Sequence, residues 1–244
     1  MTLIKSISGI RGTIGGAPGE GLSPLDIVKF TYAYCEKMRE RRPKAEGERY
    51  KVVVGKDARL SGDMVEQLVC GTLVACGVDV VKAGFASTPT TEMAVVFEEA
   101  DGGIILTASH NPKQWNALKL LNEKGEFLNA QEGAAILACA EAEQFNFADV
   151  DSLGDIEEKD FTDAHLDTIE ILLSKLYKNF GITDSTDYSK LKSTDYPIMS
   201  DFYRLCEDEY YMYDSQRKYL YTEEMLQEVC LGINSMCVGS ESKY

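Results

Sequence analysis

A chain of 244 residues, 44% of them apolar, has material for one sizeable α/β domain and a smaller unit beside it. Its formal charge of −15 argues against a nucleic-acid partner, because a phosphate backbone is held by clustered Lys and Arg. No apolar run approaches the length of a membrane span, and Met1 to Gly12 carries Lys5 and Arg11 without a continuous apolar stretch, so neither a membrane nor export is expected. The first element the sequence announces is a helix from Leu22 to about Arg41, with Ser23 as N-cap, Pro24 at the first helical position and Asp26 in the first turn. Arg41 to Lys44 breaks it, and Tyr50 to Gly55 is a β-branched run of the kind buried strands use. Ser61 is the expected cap of a second helix ending near Cys76, where Gly77 stops it. Val78 to Ala83 reads as a strand, Thr90 to Glu99 as a helix and Gly103 to Thr107 as another buried strand. Ala117 to Leu121 then reads as a strand and Ala130 to Ala142 as an alanine-rich helix.

Strand and helix alternate throughout. The expected fold is therefore α/β, a three-layer sandwich with a mixed, mostly parallel sheet between helices, followed by a short mainly helical tail. Residues from Glu141 to Glu170 are crowded with Asp and Glu and hold one base, Lys159, which reads as a solvated linker. The organisation expected is a first domain over 1–142, an acidic linker with the start of a second domain over 143–176, and a tail over 177–244. Within that stretch Leu166 to Tyr177 has helical spacing and His165 reads as an exposed residue at its start; further helices are expected near Ser200 to Met212 and Thr222 to Asn234. Seven cysteines, odd in number and without CxxC spacing, fit neither a disulfide framework nor a zinc site, and a reducing cytoplasm is the simpler setting.

The chemistry-bearing stretch is Thr107-Ala108-Ser109-His110-Asn111-Pro112-Lys113-Gln114-Trp115-Asn116-Ala117-Leu118-Lys119. It follows a buried strand, and strand ends are where α/β sheets bind ligands. Asn111-Pro112 turns the chain abruptly and leaves Ser109 at the rim, an exposed nucleophile near Lys113 and Lys119. Such a serine could hold a phosphate dianion through charge-assisted hydrogen bonds. On spacing alone, Ser-His-Asn-Pro is more often an ordinary capped turn. Asp57 and Arg59 are expected to pair within a supporting loop, and Trp115 to pack over it or shield it from water.

The loop resembles the hallmark of the α-D-phosphohexomutase family, a Thr-(Ala/Gly)-Ser-His-Asn-Pro segment bearing a phosphoserine, followed by Asn-Gly-x-Lys; here the second element is Asn116-Ala117-Leu118-Lys119, with alanine for glycine. Gly9-Ile10-Arg11-Gly12, Val54 to Gly62 and Thr88-Pro89-Thr90 also match, in family order, from Met1 to about Leu173. The opening and the Asn-Pro-Lys-Gln-Trp-Asn-Ala loop look most like bacterial members labelled phosphoglucosamine mutases. The resemblance implies a hexose-phosphate substrate and phosphoryl transfer between its 1- and 6-positions through a bisphosphate. Mapped residue by residue, it implies Ser109 as phosphate carrier, Arg11 and Lys119 as cations on the transferring group, and His110 as an orienting neighbour that points away from the serine in an extended segment. It also implies Mg²⁺ bound through the phosphoserine at Ser109 and three aspartates of an Asp-x-Asp-x-Asp-Arg loop.

That aspartate loop is not found; Asp149-Val150-Asp151 lacks the third aspartate and the arginine. The sugar-reading Gly-Glu-x-Ser-Gly-His and phosphate-binding Arg-x-Ser-Gly-Thr loops are missing too, so the expectation is a mutase domain incomplete for turnover alone. The apolar surface left by missing complementary domains would favour self-association. The alternatives are a non-catalytic remnant or fusion that binds a phosphosugar or a protein partner, and an interaction module built on the Tyr-rich tail.

Overall fold

The computed structural model describes residues 2–6, 9–45 and 47–179, which fall into two units, Met1–Phe161 and Thr162–Tyr244. The first unit opens with a hairpin, β1 (Leu3–Ser6) and β2 (Gly9–Thr13), then α1 (Pro24–Arg41), β3 (Tyr50–Lys56), α2 (Gly62–Ala75), β4 (Val78–Phe85), α3 (Thr88–Phe97), β5 (Gly102–Leu106), β6 (Trp115–Leu121) and α4 (Ala130–Ala142). A short strand, β7 (Ile156–Glu158), closes it. Helix α1 starts where the sequence places it: Ser23 Oγ accepts from the Asp26 amide while the Asp26 carboxylate accepts from the Ser23 amide, a reciprocal capping box.

The seven strands among the described residues form one sheet in the order β1-β2-β6-β5-β3-β4-β7. Strands β5, β3, β4 and β7 pair in parallel, while β1, β2 and β6 enter through antiparallel pairings. Only β1 and β6 run against the rest, so the sheet is mixed but mostly parallel in direction, as expected. Alternation along the strands divides the core in two. Val52, Val54, Ile104, Leu106 and Leu118 pack with Phe30 and Met38 of α1, Val69 of α2 and Ile136 of α4. Val53, Ile105 and Leu121 pack with Ala94 and Val95 of α3 on the opposite face. Three layers result, with β5 at the centre of the sheet and buried along its whole length.

The structure corrects several expectations. Ser61 makes no capping bond to α2; its hydroxyl instead accepts from Asn116 Nδ2 at 2.9 Å. Helix α3 begins two residues early because Ser87 caps it through the Thr90 amide. Residues 143–161 are mostly exposed, as a solvated stretch should be, yet they belong to the first unit and dock on it. The Ala148 amide bonds Ala75 O at 2.8 Å, and Phe145 and Phe147 set their rings 5.1 and 5.2 Å from that of Tyr32. Strand β7 pairs with β4 through Val80↔Ile156 and Lys82↔Glu158. The acids here find bases that a local count of charge misses: Glu158 meets Lys82 at 2.6 Å and Asp155 meets Arg49 at 3.7 Å. In the second unit the described element is α5 (Thr162–Asn179), and His165 within it is buried rather than exposed, which lowers its pKa by desolvation. The expected helices near Ser200 and Thr222 lie outside the described residues. No described helix is long and apolar enough to cross a membrane.

Two predictions follow from the edge formed by β7. A Cβ on Gly154 would fall 2.0 Å from Val78 O, so Gly154→Ala should lower stability by about 1–3 kcal/mol in denaturant unfolding. It should also speed hydrogen exchange at the Val80 and Lys159 amides, which bond across β4 and β7; unchanged stability and exchange would contradict that docking. The hydrogen bond from Lys82 holds the Glu158 carboxyl below its ordinary 4.5. Since the depressed group is charged in the folded protein, its contribution is present above 4.5 and fades as pH falls through the lowered value. An NMR titration should place Glu158 below 4.5, and Lys82→Gln should move it up toward the ordinary value.

Candidate functional site at the end of the central strand

Beyond Leu106 the chain leaves the centre of the sheet as the loop Thr107–Gln114 and returns as β6. Ser109 stands in this loop, exposed, with φ +52°, a left-handed conformation that costs a non-glycine residue roughly 1–2 kcal/mol. Its amide donates to Thr107 Oγ1 at 3.0 Å, and that hydroxyl donates to Asp57 Oδ2 at 2.6 Å. The Asn111 amide bonds Ala108 O and the Trp115 amide bonds Pro112 O, each at 3.0 Å, so the loop is two successive tight turns. The turns lie on either side of Asn111-Pro112, at Ser109-His110 and Lys113-Gln114, and that dipeptide is their junction.

Asp57 and Arg59 follow β3, the neighbour of β5, and the Asp57 amide continues that pairing onto Leu106 O at 3.1 Å. They pair as expected, Arg59 Nε to Asp57 Oδ2 at 3.1 Å. The contacts go much further than a pair. One terminal nitrogen of Arg59 reaches Pro112 O and Trp115 O, both at 3.1 Å, and the other reaches Asn111 O at 2.9 Å and Ser109 O. With a side chain only 11% exposed, these bonds compete little with water. Hydrogen bonds to charged groups contribute about 1.5–3 kcal/mol each, enough to offset the strain at Ser109.

His110 does not point away, and its segment is not extended. The left-handed turn at Ser109 brings His110 Nδ1 to 3.4 Å from Ser109 Oγ, a long contact in which the tautomer decides the donor. Asn116 is fully buried; besides its bond to Ser61 it accepts from the Ala117 amide at 2.8 Å, tying the start of β6 to the start of α2.

Arg11 and Lys119 lie on adjacent strands. Arg11 of β2 is opposite Ala117 of β6, and Lys119 is two residues on, so the two cations and the small Ala117 share one face of the sheet. Lys119 is also opposite Ile105, four residues before Ser109. Its Nζ sits 5.2 Å from the centre of the Phe127 ring. Among the described residues, Arg11, Lys113 and Lys119 have no carboxylate within ion-pairing reach, whereas Lys56, Lys82, Arg41 and Lys159 each have two or more. With 40 acids against 25 Lys and Arg in the chain, that vacancy does not come from a shortage of acids.

The Mg²⁺ implied by the sequence resemblance finds little here. No group of three or more His, Cys, Asp or Glu is arranged for a metal among the described residues. The nearby carboxylate of Asp57 is committed to Thr107 and Arg59. These residues do not by themselves fit the ion.

Residues 3–147 match the family described as phosphoglucomutase/phosphomannomutase, alpha/beta/alpha domain I. A phosphoglucomutase/phosphomannomutase of Thermococcus kodakarensis is 33% identical over 65% of this chain and 34% of its own length. A phosphoglucosamine/phosphogalactosamine mutase of Sulfurisphaera tokodaii is 32% identical over 82% of this chain and 39% of its own. A match of that extent has to run past Leu173, so the likeness continues beyond the point where the motifs end. A solved Thermus thermophilus structure described as a phosphomannomutase superposes with a TM-score of 0.57 at 29% identity, over 71% of this chain and 37% of that one. The chain thus spans little more than a third of the length of these relatives.

Removing the Thr107 hydroxyl should expose how much the loop depends on it. Thr107→Val leaves the Ser109 amide and Asp57 Oδ2 each one partner short, and should cost about 1–3 kcal/mol in denaturant unfolding. A change under about 0.5 kcal/mol would show that neither bond matters to the fold.

Proposed function

From the membership of this chain in the phosphoglucomutase/phosphomannomutase family, established over residues 3–147, we propose that Ser109 is the phosphate carrier of a hexose-phosphate mutase domain. The observation that carries the reading is an exposed serine hydroxyl, fixed in a left-handed turn at the end of the central strand, with Arg11, Lys113 and Lys119 without carboxylate partners among the described residues. Phosphoryl transfer asks a protein for positioning and for positive charge already in place. In the first half-reaction the bond from Ser109 Oγ to phosphorus breaks as the free hydroxyl oxygen of a hexose 1- or 6-phosphate bonds the phosphorus. The proton of that hydroxyl ends on Ser109 Oγ, and the product is a hexose bisphosphate. After the sugar turns end for end, the reverse step returns its other phosphate to the serine.

Arg11 and Lys119 would neutralise the phosphoryl group in flight, and His110 would orient the Ser109 hydroxyl. Removing such a cation costs transfer on the order of 10²-fold. The relatives' names cover glucose, mannose, glucosamine and galactosamine phosphates, and the substrate proposed here is the class they share, a hexose phosphate. A second reading, phosphosugar binding without turnover, draws on the chain's span of little more than a third of its relatives. Sustained mutase turnover by the purified chain would eliminate it.

The test is mass spectrometry of the full chain incubated with glucose 1,6-bisphosphate and a magnesium salt. One phosphoryl group should appear on the peptide holding Ser109, be absent from Ser109→Ala, and form about 10²-fold more slowly in Arg11→Ala and Lys119→Ala. Absence of any adduct, or an adduct elsewhere that survives Ser109→Ala, would reject the assignment.

A further inference from the structure

We infer that Arg59 is the positioning residue of the Ser109 loop, and that its five N–H groups, not its charge, make it so; this rests on reading Ser109 as the phosphate carrier. A guanidinium carries five donors in a rigid plane. Here each nitrogen has acceptors to match: Nε takes Asp57, one terminal nitrogen takes Pro112 O and Trp115 O, and the other takes Ser109 O and Asn111 O. The donor capacity of the side chain is used in full. Four of the acceptors are backbone carbonyls, three in the loop and one on Trp115 where the chain enters β6, reached from a residue fifty or more positions away in the chain. Asp57 fixes the plane of the guanidinium from behind, and through Thr107 Oγ1 it also fixes the Ser109 amide. The amide and the carbonyl of Ser109 are therefore both held by one assembly, which leaves its hydroxyl as the group turned outward.

Lysine keeps the charge but offers three donors without a fixed plane, so it cannot hold four carbonyls spread from the loop into β6. Arg59 itself is not required to touch a substrate. Its effect on transfer would come through the orientation of the serine, where a displacement of about 1 Å is enough to cost a large factor in rate.

The experiment compares the full chain with Arg59→Lys and Arg59→Gln by two measurements. In amide hydrogen exchange, the Ser109, Asn111 and Trp115 amides should exchange about tenfold faster or more in both variants, while the amides of β3 and β5 keep wild-type protection. In phosphoryl uptake from glucose 1,6-bisphosphate, the maximal rate should fall about tenfold or more with the half-saturating concentration within about twofold of wild type. Wild-type exchange and uptake in Arg59→Lys would overturn the inference, as would loss of protection throughout β3 and β5, which marks a general structural role. Should the wild-type chain itself take up no phosphate, the Ser109 reading fails, and the exchange comparison alone still decides whether Arg59 holds the loop.

Discussion

Backbone carbonyls that leave the end of a central strand have lost their sheet partners and must find donors elsewhere. In this protein one guanidinium answers for four of them. Without it the two amide-to-carbonyl turns of the Ser109 loop would open more readily and the orientation of Ser109 relative to the sheet would be lost. The rest of the site is arranged around that constraint: Asp57 steers Arg59 and holds Thr107, and Asn116 anchors the return of the chain into β6. The contacts span three strands: β3 flanks β5 on one side and β6 on the other, and beyond the end of β5 Arg59 and Ser61 reach across to Trp115 and Asn116 of β6.

The electrostatic arrangement complements the geometric one. The chain is strongly acidic, and most of its described bases are drawn into ion pairs, some into more than one. Arg11 and Lys119 escape this because they project from a face of β2 and β6 on which the residues across the ladder, Ala117 and Ile105, are apolar. Under the proposed function these two cations, free of carboxylates among the described residues, are the ones that meet the phosphate carried by Ser109.

Much of this was legible in the sequence. The β-branched run Tyr50–Lys56 and the apolar Gly102–Leu106 declare buried strands by composition alone, and Ser23-Pro24-Leu25-Asp26 declares a helix start through its own capping chemistry. The Thr-Ala-Ser-His-Asn-Pro segment located the loop. What was not legible depends on distant partners. Strands β1 and β2 are short and become part of the sheet through pairing with β6, while β7 is three exposed residues whose acids are satisfied by Lys82 and Lys159. The same holds for Arg59: its link to Asp57 could be read from a spacing of two, but its four carbonyl partners are set by the fold. His110 was misjudged because an X-Pro segment suggests extended chain, whereas the strain sits one turn earlier, at Ser109.

Phosphate carried at Ser109 requires positive charge to converge on its oxygen. That convergence is tested most directly by following the ³¹P chemical shift of the chain phosphorylated at Ser109 as pH is varied. A phosphoserine in water releases its second proton near pH 6, by rough reference value. With Arg11 and Lys119 at the phosphate the value should lie clearly below that, moving back toward it when either is replaced by alanine. A titration at or above the free phosphoserine value, unmoved by either substitution, would contradict it.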